Sequence, residues 1–94
     1  MHKKFQVNIN LDDPVELMDF INTYGQNKGR RLANQLKLKG EGSSKLASAF
    51  SSYAWNKSTA ISLRKSGEIN RALIYESICD NIYEEDIQPV CDCW

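Results

Sequence analysis

Residues 57–78, KSTAISLRKSGEINRALIYESI, place apolar side chains at helical spacing on both sides of a short polar turn at Gly67. Two helices meeting at a glycine must lie back to back, because a turn of this length leaves antiparallel packing as the nearest compact solution. Arg64 and Lys65 suit the negative end of the first helix, and Gly67 suits the left-handed residue that closes it. The spacing predicts a helix from Ser43 or Ser44 that buries Leu46, Ala49, Phe50, Tyr53 and Ala54. Ala60, Ile61 and Leu63 continue the stripe after the polar stretch NKST, where a bend is expected. The second arm reads as a helix from about Glu68 to Glu85 and is apolar on two sides. Ile69, Ala72, Leu73 and Cys79 fall on one side, and Ile74, Tyr75, Ile78 and Ile82 on the other. Leu73 is expected in the core, with the Ile74 side left for a neighbour and Tyr75 on its flank. A helix apolar on more than one face packs between neighbours or against another chain.

Upstream, FQVNINL (5–11) alternates strictly, with Phe5, Val7, Ile9 and Leu11 on one face, as a half-buried strand would. DDPVE follows. Asp12 or Asp13 can cap a helix, Pro14 suits its first position, and Glu16 stands in capping-box register with Asp13. That helix is expected to bury Val15, Leu17, Met18, Ile21 and Tyr24. Gly25 and Gly29 interrupt it, and Leu32, Ala33 and Leu36 suggest a further helix ending near Gly40. Pro89 stops helix formation in DIQPVCDCW, so residues 86–94 read as a loosely ordered tail or a short strand. A lone strand needs a partner. It would pair with the C-terminal segment, or with its copy in a second molecule, which would make a homodimer. The fold expected is therefore mainly α, about four helices in a compact single domain, with a small β element.

The chain has 94 residues, 41% of them hydrophobic and 26% charged, which fits one globular domain with a modest core. It has no apolar run long enough to span a bilayer, so no membrane partner is expected. MHKKFQVNINLDD lacks the apolar stretch of a signal peptide, and a reducing, cytoplasmic setting follows as the expectation. Cys79 is then a buried thiol, and Cys91 and Cys93 are exposed tail thiols.

Net charge is zero, but residues 1–57 hold nine basic and five acidic side chains, and residues 58–94 hold three and seven. Lys28, Arg30, Arg31, Lys37, Lys39 and Lys45 cluster between 28 and 45 with only Glu41 against them. With Tyr75 they form the candidate binding set, as a surface that steers a protein partner or contacts phosphates. The acidic C-terminal third and the zero net charge make nucleic acid the second choice.

Catalysis and metal chemistry find little footing. The single histidine is His2, so no cysteine has a well-placed imidazole. GEGSSK falls short of phosphate-loop spacing, and the Cys91–Cys93 spacing is too tight for a typical zinc pair. No enzyme activity, metal or cofactor is expected.

SGEINRALIYESI resembles the second helix of tetratricopeptide and related hairpin units at Gly67, Ala72 and Leu73. Glu76 stands where those repeats carry an aromatic, and no second copy follows at the repeat period of about 34 residues, so the likeness is a local convergence. LANQLKLKGEGSS and NKSTAISLRKSGEINRALIYESICDNIYEE resemble short bacteriophage-encoded accessory proteins in their helical-hairpin texture. That resemblance implies a small interaction protein that redirects or inhibits a host factor, and it assigns no functional residues.

Overall fold

The computed structural model describes residues 5–25 and 41–92. In chain order these form β1 (Phe5–Gln6), α1 (Pro14–Gly25), α2 (Glu41–Lys65), α3 (Ile69–Ile82), a π-helical turn (Tyr83–Ile87) and β2 (Cys91–Asp92). The architecture is mainly helical, with three α-helices among the described residues. The helix expected around Leu32 and Leu36 lies outside them.

The start of α1 forms as the capping signals require. Asn10 Oδ1 accepts from the Asp12 N–H at 2.9 Å, and Asp13 Oδ1 accepts from the Val15 N–H at 3.0 Å and the Glu16 N–H at 3.4 Å. Pro14 has no N–H to leave unsatisfied at this position. Within α1 only part of the expected apolar set turns inward. Leu17 is fully buried and Phe20 and Ile21 pack against the core, but Val15 and Met18 are exposed. Val15 lies about 160° around the helix from Leu17 and Met18 about 100°, so neither can join a face centred on Leu17. The Tyr24 side chain lies outside the described set.

The strand expected over 5–11 is much shorter. Phe5 pairs with Cys91 and Gln6 with Asp92 in a parallel two-residue ladder. From Val7 to Asn10 the chain is not in strand conformation. The alternation survives as burial: Val7, Ile9 and Leu11 are in the core, and Asn8 and Asn10 face outward. This segment is fastened to α2 by Lys57 Nζ, 3.0 Å from Asp12 Oδ1.

α2 runs without interruption from Glu41 to Lys65, through the NKST stretch where a bend was expected. Its inner face supplies Leu46, Ala49, Phe50, Tyr53 and Ala54 to the core. Phe50 is fully buried and meets Phe20 edge to face, with ring centroids 4.8 Å apart at 64°. Such a pair adds about 0.5–1.5 kcal/mol beyond its buried area.

The turn into α3 closes as the glycine signal indicates. Gly67 adopts φ +83°, its N–H donates to the Arg64 carbonyl at 3.1 Å, and the Glu68 N–H donates to the Leu63 carbonyl at 2.9 Å. These two bonds are the Schellman closure, which satisfies carbonyls the helix end would otherwise leave unpaired.

Past Ile82 the helix widens into the π turn, marked by the Gln88 N–H donating to the Tyr83 carbonyl at 2.7 Å. The widening has a physical reason. In an unbroken α-helix Asp86 would lie about 20° from the buried Cys79 position, and Ile87 about 80° away. A turn with i→i+5 bonds rotates less per residue, so it swings Asp86 outward and brings Ile87 in. Ile87 is fully buried and Asp86 is half-buried. Cys91 is also fully buried and donates its Sγ–H to the Ile87 carbonyl at 3.5 Å. The expectation of an exposed thiol at Cys91 is thereby corrected, and Ile87 and Cys91 close the core where the sequence reads as a tail. Cys93 lies outside the described residues.

Candidate functional site

Among the described residues, the inverted amphipathy of α3 builds a distinctive surface. Its inward positions are small: Ala72 and Cys79, seven residues apart, are both fully buried. Small side chains on this line let α3 approach α2 closely, and the Cys79 Sγ–H reaches the Tyr53 carbonyl at 3.6 Å. Ile82 packs against the core, but the other large aliphatics point away. Ile69 is 42% exposed, Leu73 49%, Ile74 61% and Ile78 38%. Measured from Ile69, these four lie at about 0°, 40°, 140° and 180°, so they span the half of the helix opposite Ala72 and Cys79. The placement of Leu73 in the core is corrected: it is half exposed, and the buried side of the helix is the Ala72–Cys79 line.

Two ion pairs border this surface. Arg64, at the end of α2, clamps Glu76 with a two-pronged ion pair whose Nη2 donates to Oε1 at 2.7 Å. The hydrogen bond to Arg64 holds the Glu76 carboxyl below the ordinary carboxylate range. Arg71 Nη1 lies 3.1 Å from Glu68 Oε1, one turn back on α3 itself. On the inner side, burial pushes the Cys79 thiol up to about 11 and the Tyr53 phenol up to about 12. Cys79 is therefore a packed thiol, without the lowered pKa that reactive cysteines need.

Of the sequence-predicted site residues, Lys28, Arg30, Arg31, Lys37 and Lys39 lie outside the described set. Lys45 is exposed at the start of α2, and Tyr75 is half-buried along α3. The structure does not bring these two into one site. Lys45 instead borders a shallow groove of about 230 Å³ with Ser48, Ala49, Ser52, Ile82 and Asp86. That is smaller than the roughly 300–1,000 Å³ typical of small-molecule pockets.

Ile74 and Ile78 were legible as an apolar side of α3. The outward turn of Ile69 and Leu73 was not, although the pair of small residues seven apart, Ala72 and Cys79, is the signal that marks the close-packed line. Trp55 was passed over. It is 75% exposed on the outer face of α2, among Ser51, Ser52, Ser58 and Thr59.

Among the described residues, no three His, Cys, Asp or Glu side chains come together to hold a metal ion. Also among them, no helix is long and apolar enough to cross a membrane. Comparison with protein-family models, with curated proteins and with solved structures found no match.

Proposed function

We propose that this chain is a small non-enzymatic interaction protein that uses the outer face of α3 as its contact surface. The observation that supports this most directly is the outward display of Ile69, Leu73, Ile74 and Ile78 from one helix. Scattered single aliphatics on a surface are ordinary, but here four stand on the outward half of one helix as two pairs, Ile69 with Leu73 and Ile74 with Ile78, a density that protein contacts use. An amphipathic helix presented on a clamped hairpin offers such a patch with little ordering cost on binding. The basic run between Lys28 and Lys45 adds a steering charge for an acidic partner, and a host factor in the cytoplasm is the partner that the resemblance to phage accessory proteins implies.

Affinity capture with the tagged chain, run side by side with an Ile74→Lys variant, tests this reading. Ile74 is the most exposed of the four, so the substitution leaves the fold intact while placing a charge beside Ile78. A protein retained by the wild type and lost with Ile74→Lys is the expected result. A set of retained proteins that is the same for both excludes the α3 face as the contact surface.

A further inference from the structure

On α2, one exposed side chain and one groove complement each other. Trp55 is 75% exposed, more than any other large hydrophobic among the described residues. The groove bordered by Lys45, Ser48, Ala49, Ser52, Ile82 and Asp86 has a volume of about 230 Å³, room for one large side chain rather than a whole ligand. Its α2 wall centres between Ser48 and Ala49, so Trp55 stands about 10 Å further along the helix and about 70° around it. The exposure of Trp55 shows that it does not occupy the groove of its own chain. The groove nevertheless has the chemistry an indole needs. Ala49 and Ile82 offer the ring an apolar wall. The Asp86 carboxylate can accept the indole N–H, a bond that buried tryptophans require, and the Lys45 ammonium can lie over the ring face.

We infer that Trp55 docks in the Lys45–Asp86 groove of a second copy of this chain, whose own Trp55 docks in return. A knob and a pocket on opposite sides of a molecule link copies into an open series; on one side, a single two-fold axis can exchange them and close a pair. Here both lie on one side of α2, and the axis that bisects the line from Trp55 to the groove makes both contacts at once. Ser52 stands nearest that axis, with Ser48 beside it. Their small side chains let the two α2 helices cross closely at this point rather than lie side by side. Lys45, Ser48, Ser52 and Trp55 are all exposed, so no core residue has to turn outward to make the contact. An aromatic side chain from another protein would fill the groove and leave Trp55 bare, whereas a second copy covers both. The contact uses none of the outer face of α3 and stands apart from the reading of that face.

Sedimentation equilibrium from about 10 µM to about 1 mM, the range of small interfaces, tests this. The wild type is expected to approach twice its monomer mass of 10.7 kDa as concentration rises, and to go no further. Trp55→Ser should weaken association at least about a hundredfold, since each copy loses its anchor. Ser52→Arg, at an exposed position, should also give monomers with unchanged helical circular dichroism. Ile74→Lys should dimerise like the wild type. In a Trp94→Phe chain Trp55 is the single tryptophan, and its fluorescence emission should move to the blue as the chains pair. A wild type that stays monomeric throughout this range overturns the inference, as does a mass that climbs past the dimer. So does a dimer that survives Trp55→Ser or Ser52→Arg, or one in which Trp55 still emits as a water-exposed ring. A dimer lost in Ile74→Lys moves the contact to α3 and overturns it too.

Discussion

At the scale of single residues, polarity alone misjudged which apolar side chains go inside. Leu73 is larger than Ala72 and more hydrophobic, yet Ala72 is buried and Leu73 is half exposed. The deciding quantity is the space left between α2 and α3, which only the assembled pair defines. Val15 and Met18 fail in the same way: each is apolar, and each lies off the single line that α1 presents to α2. Burial also sets the chemistry of the groups that do go in. Cys79 and Tyr53 stand at about 11 and about 12, above ordinary values of 9.0 and 10.0, with desolvation as the first cause. Both groups are neutral when protonated, so burial favours the protonated form. Between pH 9 and 12 the unfolded chain therefore holds fewer protons than the folded one, and stability falls as pH rises. The melting temperature should be level near pH 8 and decline from pH 9 upward. Cys79→Ala should remove the part of that decline that begins first. A melting temperature flat to pH 11 would mean that neither group is desolvated in the folded state.

At the scale of elements, the ends were legible and the irregularity was not. Asp13 with Pro14 marks the start of α1, and Gly67 after Arg64 and Lys65 marks the turn between α2 and α3, because caps are local chemistry written in neighbouring residues. The π turn at Tyr83–Ile87 has no such local signature. It arises from a distant demand, the need to place Ile87 rather than Asp86 over the core. The strand over 5–11 was over-read for a related reason: alternation reports which side is buried, whereas a strand also needs backbone pairing, which among the described residues is confined to Phe5 and Gln6. The π turn makes a specific prediction. Deleting Glu85 removes the extra residue, and a regular α-helix would then carry Ile87 to the inward position without widening. Far-ultraviolet circular dichroism and the melting temperature of the deletion variant should stay close to wild type. A loss as large as that of Ile87→Ala, about 2–5 kcal/mol, would show that the π geometry itself is required.

At the scale of the whole molecule, the core and the proposed contact surface are set by the same choice in α3. Small residues inward bring the two arms of the hairpin together, and that leaves the large aliphatics to the outside. The mainly helical class and the hairpin were legible from periodicity. The candidate site was legible only as an apolar second side, and its membership changed once Leu73 and Ile69 turned outward. The most direct test of this arrangement is thermal unfolding of a Leu73→Lys/Ile74→Lys double variant at low protein concentration, where association adds little to stability. If the face is outward, the melting temperature stays within a few degrees of wild type, because both lysines reach water. If Leu73 and Ile74 were packed in the core, two buried charges would abolish cooperative unfolding, and α3 could not be a contact surface.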